Sequence, residues 1–201
     1  MTSVSNTQVA KNFRANRHKS FQWLGRFVLS SLGWKVTGEI KGEHENQNLV
    51  LVVAPHTSNW DGVLGMAAIA GLDAKIAFFG KHTIFRYFGL GAFLKYMGGI
   101  PVNRASPGGA IGDALKKIKN MEFSLVGMAP EGTRSKVAEW KTGFLRIAEE
   151  INAKVIPVSL DFAKKEILLG EIFKLSGEKE KDLKNLKDYF SSFTPKHPEN
   201  F

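Results

Sequence analysis

The chain contains no cysteine. That excludes a disulfide framework, a thiolate nucleophile and any cysteine-based metal site. Long apolar runs are also missing. The uncharged stretch Gly62 to Leu72 is eleven residues between Asp61 and Asp73, well short of the ~18 that a membrane-spanning helix needs. Acid is absent from the first 38 residues, where Lys11, Arg14, Arg17, Lys19, Arg26 and Lys35 stand without an Asp or Glu. The stretch "PGGAIGDALKK" (Pro107 to Lys117) opens a basic helix with glycines, but it lacks the Gly-Lys-Ser/Thr of a nucleotide P-loop. No internal repeat or low-complexity segment is visible.

What remains is a chain of 201 residues, 43% hydrophobic, enough for one sizeable core. The formal charge of +9 suggests nucleic acid, an anionic membrane surface or an anionic substrate. No nucleic-acid motif is present, and the excess charge sits beside "FQWLGRFVLSSLGW" (Phe21 to Trp34). There Phe21, Leu24, Val28 and Leu32 follow helical spacing with Trp23 and Phe27 beside them. Residues 1–38 therefore read as a basic amphipathic membrane-association segment and residues 39–201 as a single catalytic domain. The expected location is peripheral, on the cytoplasmic face of a membrane. A helix packed on its own domain is the alternative.

Strand-like and helix-like stretches then alternate. Strands are expected at Leu49–Ala54, Lys75–Phe79, Ile100–Asn103, Phe123–Met128 and Lys154–Leu160, and helices at Asp61–Ala70, Gly109–Met121 and Thr142–Ile151. The aromatic "TIFRYFGLGAFLKYMG" reads as helical, either core or an acyl-chain wall. In the tail, Leu183, Leu186, Phe190 and Phe193 form a docking stripe. This is the pattern of an α/β layered fold with a largely parallel mixed sheet flanked by helices. Ligands in such folds collect beyond the strands' carboxyl ends. Pro157, inside an apolar strand, reads as an edge or strand-start proline.

His56 and Asp61, in "APHTSNWDG", follow the first of these strands. An aspartate that accepts the Nδ1 proton leaves Nε2 free to take a proton from a hydroxyl. With no nucleophilic serine in an obvious turn, that hydroxyl would belong to the substrate, giving single-displacement transfer. Two ligands alone make a poor metal site, and neither metal nor cofactor is expected. Arg104 ends a second strand, and "APEGTRS" (Ala129 to Ser135) follows a third with Glu131, Gly132, Thr133 and Arg134. Two arginines on one rim can clamp a phosphate.

His-x4-Asp, Gly-x-Ile-x-x-x-Arg, Pro-Glu-Gly-Thr-Arg-Ser and an apolar proline strand, in that order, resemble the glycerolipid acyltransferase family. The resemblance covers roughly Val50 to Val158. It implies a general-base dyad at His56 and Asp61, and acceptor phosphate contacts at Arg104 and Arg134. Glu131, Gly132 and Thr133 then fall to substrate binding and Pro157 to the acyl pocket. It further implies an acyl-CoA or acyl carrier protein donor, a lyso-lipid acceptor such as 1-acylglycerol-3-phosphate, and work at a membrane surface. Pro101, Asn103 and Ala129 depart from the family pattern. They keep a lyso-lipid without phosphate, for instance one with an amino-acid head group, as an alternative acceptor, and a non-catalytic anionic-lipid binder as an alternative class.

Overall fold

The computed structural model describes residues 3–44, 46–103, 109–119 and 124–201. Its strands are β1 (Lys35–Gly38), β2 (Asn48–Ala54), β3 (Ile76–Lys81), β4 (Gly99–Val102), β5 (Leu125–Met128), β6 (Ala153–Asp161) and β7 (Glu166–Leu169). Among the described residues they form one sheet in the order β1-β7-β6-β2-β5-β3-β4. Every pairing is parallel except β6 with β7. The helices are α1 (Lys19–Ser31), α2 (Asn59–Gly71), α3 (Leu90–Tyr96), α4 (Gly109–Ile118), α5 (Gly143–Glu150) and α6 (Lys179–Phe190). The expected α/β architecture is therefore present, and β1 and β7 are additions to it.

Successive residues of a strand point to opposite faces of the sheet, and β2 divides the core accordingly. Leu49 and Leu51 join a cluster with Leu29 of α1 and Leu64, Ala67 and Ala68 of α2. Val50, Val52 and Ala54 join another with Leu115 and Ile118 of α4, Phe144 and Ile147 of α5, and Leu186 and Phe190 of α6. The tail stripe thus docks on the core, with Leu183 and Phe193 partly buried at its edge.

Residues on both sides of position 38 share one core cluster. Val4, Val9, Ala10 and Phe13 lie in the first cluster, and Val9 bridges Ile40 while Arg14 bridges Ala74. Lys75 N–H donates to Phe13 O at 2.7 Å. Too few apolar residues are spaced regularly here for periodicity to reveal the burial. Helix α1 packs on α2 through Gln22, Gly25 and Leu29. At Gly25 a Cβ would lie 2.5 Å from Ala67 O and 2.6 Å from Gly71 N, so glycine allows the two backbones to meet. The aromatic face turns outward instead: Trp23 is 61% and Phe27 52% exposed.

The aromatic stretch is not one helix. A 3-10 turn, His82–Arg86, is followed by Tyr87 and Phe88, and α3 starts after Gly89 at φ 75°. Pro157 is no edge residue. It pairs with Val52 inside the sheet, and the ladder to β7 begins only after it, at Val158.

Candidate active site

The loop leaving β2 carries His56 to the rim at the strands' carboxyl ends, and Ser58 then opens α2 in an extended conformation (φ −148°, ψ 167°). Asp61 is the third helical residue and folds back over the loop. Its Oδ2 accepts the N–H groups of Thr57 and Ser58, both at 2.7 Å, and its Oδ1 accepts the Ser58 hydroxyl at 2.8 Å. This is capping chemistry: a carboxylate satisfies donors that have no partner within the helix. The same Oδ2 lies 3.3 Å from His56 Nδ1. The Asp61 side chain is 2% exposed and that of His56 29%. Burial pushes the Asp61 carboxyl up, but the hydrogen bonds from His56 and Ser58 outweigh it and hold the group below its ordinary value. A carboxylate so placed can accept an Nδ1 proton, an arrangement in which Nε2 is free for base chemistry.

From the neighbouring strand β5, the loop Ala129–Ser135 approaches the histidine from the other side. Glu131 is 3% exposed, and its Oε1 accepts His56 N–H at 2.9 Å. Burial raises its carboxyl above the ordinary range, although hydrogen bonding and the nearby His56 work against the shift. Gly132 takes φ 64°, a region that glycine enters without steric cost, and the Lys141 chain lies over it, with Nζ 3.0 Å from where a Cβ would stand.

A cleft of about 1040 Å³ joins these parts, at the upper end of ligand-site volumes. His56, Gly132, Thr133 and Arg134 line it together. Arg104 lies outside the described residues. Pro157 is not among the lining residues; it packs near Gly170 and Tyr189. One wall is apolar, with Phe79, Ile84, Tyr87, Val102, Ile111 and Met128. Among the described residues the rim carries Lys81, Arg134, Lys141 and Arg146 against a single acid, Glu139. The sequence reading missed Lys81, Lys141 and Arg146. Lys81 was within reach, because it ends β3 on the rim that carries His56, whereas Lys141 and Arg146 follow no strand end. Among the described residues no cluster of three or more His, Asp or Glu can hold a metal ion.

The chain is an acyltransferase-type protein: the sequence model of the Acyltransferase family matches residues 35–161, more than half of the chain, and the chain belongs to that family. A curated relative, the 1-acyl-sn-glycerol-3-phosphate acyltransferase of Bacillus subtilis (strain 168), is 32% identical over 110 residues. That match covers 54% of this chain and 54% of the relative, so the chain spans about half the length of the curated relative it matches. The crystal structure of the 1-acyl-sn-glycerophosphate (LPA) acyltransferase PlsC from Thermotoga maritima superposes with a TM-score of 0.59 at 25% identity. It covers 87% of this chain and 76% of that one.

Proposed function

We propose that the protein is an O-acyltransferase that moves a fatty acyl chain from a thioester, on coenzyme A or acyl carrier protein, to a hydroxyl of a lysophospholipid. The acceptor is 1-acylglycerol-3-phosphate and the setting phospholipid biosynthesis. The observation that carries this reading is the oriented dyad, His56 Nδ1 on the buried Asp61 carboxylate, at the head of a cleft with an apolar wall and a cationic rim. His56 Nε2 takes the proton of the acceptor hydroxyl as its oxygen attacks the thioester carbonyl. The tetrahedral intermediate then expels the thiolate, which recovers the proton from His56, so no acyl-enzyme forms. Arg134 and Lys81 provide the charge for the acceptor phosphate. The apolar wall takes acyl methylenes, each worth ~0.8 kcal/mol on burial.

Membrane association is part of the same proposal. Among the described residues no helix is long and apolar enough to cross a bilayer. The outward face of α1 nevertheless carries Trp23, Leu24 and Phe27, and the α3 region adds Tyr87, Phe88 and Tyr96, all exposed. Phe21 joins the two patches, its ring 5.5 Å from Tyr96 and 6.4 Å from Phe93. Exposed aromatics with the exposed Lys19 at the start of α1 suit an anionic interface.

The test is incubation with acyl-CoA or acyl-ACP and a panel of lyso-lipids, with products identified by mass spectrometry. Acylated lysophosphatidate is expected, and Arg134→Ala should weaken use of that acceptor by ~1.5–3 kcal/mol. Acylation of only phosphate-free acceptors, unaffected by Arg134→Ala, refutes the assignment of the acceptor. Absence of any thioester turnover refutes the enzyme.

A further inference from the structure

The family resemblance assigns Glu131 to substrate binding, but its surroundings point elsewhere. The residue is 3% exposed, and its Oε1 is committed to His56 N–H at 2.9 Å. The bond ties together the loops that leave β2 and β5, strands paired as far as Val52 and Met128. We propose that Glu131 is a positioning residue, fixing the backbone of the general base from behind while making no contact with the acceptor. This rests on the acyl-transfer reading above for its kinetic consequence and on geometry alone for its structural one.

Two carboxyl groups thus contact one histidine, at its ring and at its main chain. Asp61 holds the ring through Nδ1, and Glu131 holds the main chain through the amide. Their environments push them apart, Asp61 below its ordinary range and Glu131 above. Such a separation commonly divides the roles of paired acids. The division has a chemical reason. An ionised Glu131 would add a second negative charge beside the imidazole and strengthen its hold on the proton that it must return to the leaving thiolate. An uncharged carboxyl accepts the same N–H without that penalty. Oε2 is buried and makes no hydrogen bond among the described residues, so the tie to the loop of β2 runs through Oε1. Displacing a catalytic group by about 1 Å costs about 10²-fold in rate, so losing the tie should appear in kcat.

Glu131→Gln keeps an oxygen for the His56 amide and cannot ionise, whereas Glu131→Met fills the space without an acceptor. The experiment measures kcat and the acceptor KM for both variants, together with hydrogen exchange of the His56 amide by NMR. Expected for Glu131→Gln are kcat within about threefold of the parent and a protected His56 amide. Expected for Glu131→Met are kcat reduced about 10²-fold, an acceptor KM within about twofold, and a fast-exchanging His56 amide in an otherwise folded protein. A tenfold rise in acceptor KM with kcat unchanged would overturn the proposal, as would His56 amide exchange unaltered by Glu131→Met. Should the parent protein turn over no lyso-lipid, the acyl-transfer reading falls, and the exchange data alone decide the tie.

Discussion

Replacing Asp61 with asparagine separates the charge of this residue from its hydrogen bonds, because the loop dictates how the new amide must sit. Oδ2 is held by two backbone donors, Thr57 N–H and Ser58 N–H at 2.7 Å. An NH2 group there would face two N–H groups, so the amide oxygen takes the position and still accepts the Nδ1 proton of His56. The NH2 falls at Oδ1, where the Ser58 hydroxyl now donates, and the hydroxyl can turn to accept. Tautomer and orientation survive; only the negative charge is lost. Opposite charges ~4 Å apart at an effective dielectric of ~20 attract by ~4 kcal/mol, so loss of imidazolium stabilisation lowers kcat by about 10²–10³-fold, with acceptor KM nearly unchanged. Each of the three local hydrogen bonds passes from charge-assisted to neutral, at about 1 kcal/mol apiece, so the variant folds. Asp61→Ala instead orphans two buried N–H groups at ~1–3 kcal/mol each and unfolds far more easily. Steady-state kinetics on a dispersed short-chain acceptor and urea melts read both effects. The carboxyl is held below its ordinary value in the folded chain, so its stabilisation is present above the unfolded pKa and is lost as pH falls through the folded one. The stability gap between parent and Asp61→Asn therefore closes in acid. Turnover of Asp61→Asn within about threefold of the parent would refute the dyad, since the charge term in any base mechanism is larger than that.

Two further outcomes are expected. Gly25→Ala drives a methyl group against Ala67 O and Gly71 N of α2; overpacking of ~1–3 kcal/mol exceeds the helix-propensity gain of ~0.5–1, so Tm should fall by a few degrees, and a scanning-calorimetry Tm at or above the parent's contradicts the close crossing. Trp23→Asp combined with Phe27→Asp changes exposed positions only, so it should leave Tm and turnover of a dispersed acceptor near the parent values while sharply reducing co-sedimentation with anionic vesicles. Undiminished co-sedimentation would remove the α1 face from the membrane proposal.

The parts of the fold that were legible in the sequence are those where burial is regular. β2 and β6, the interior strands Asn48–Ala54 and Ala153–Asp161, show as the apolar runs Leu49 to Ala54 and Val155 to Val158 because both faces are covered. β1 carries one buried residue, Val36, in four, and β7 alternates buried and half-buried positions over four, too short for a periodic signal. In α1 the pattern identifies the helix but not its inward face, because Gln22 and Gly25 pack there beside Leu29 while Trp23, Leu24 and Phe27 face out. The approach of Asp61 to His56, 3.3 Å between Oδ2 and Nδ1, was legible from residue types and spacing. The tie from Glu131 was not, since it joins side chain to backbone across 75 positions and leaves no local pattern.

The sheet that splits the core also partitions the labour of the site. Asp61 belongs to α2, whose packing lies wholly in the first cluster, whereas Arg134, Lys141 and Arg146 hang from a loop and helix anchored in the second. Substitutions in the second layer that spare Glu131 and the β2 residues Val50, Val52 and Ala54 can reshape the cationic rim without moving Asp61. A designer who exchanges the β5–α5 segment between relatives must therefore keep Glu131, because that segment also carries the carboxyl that accepts the His56 N–H.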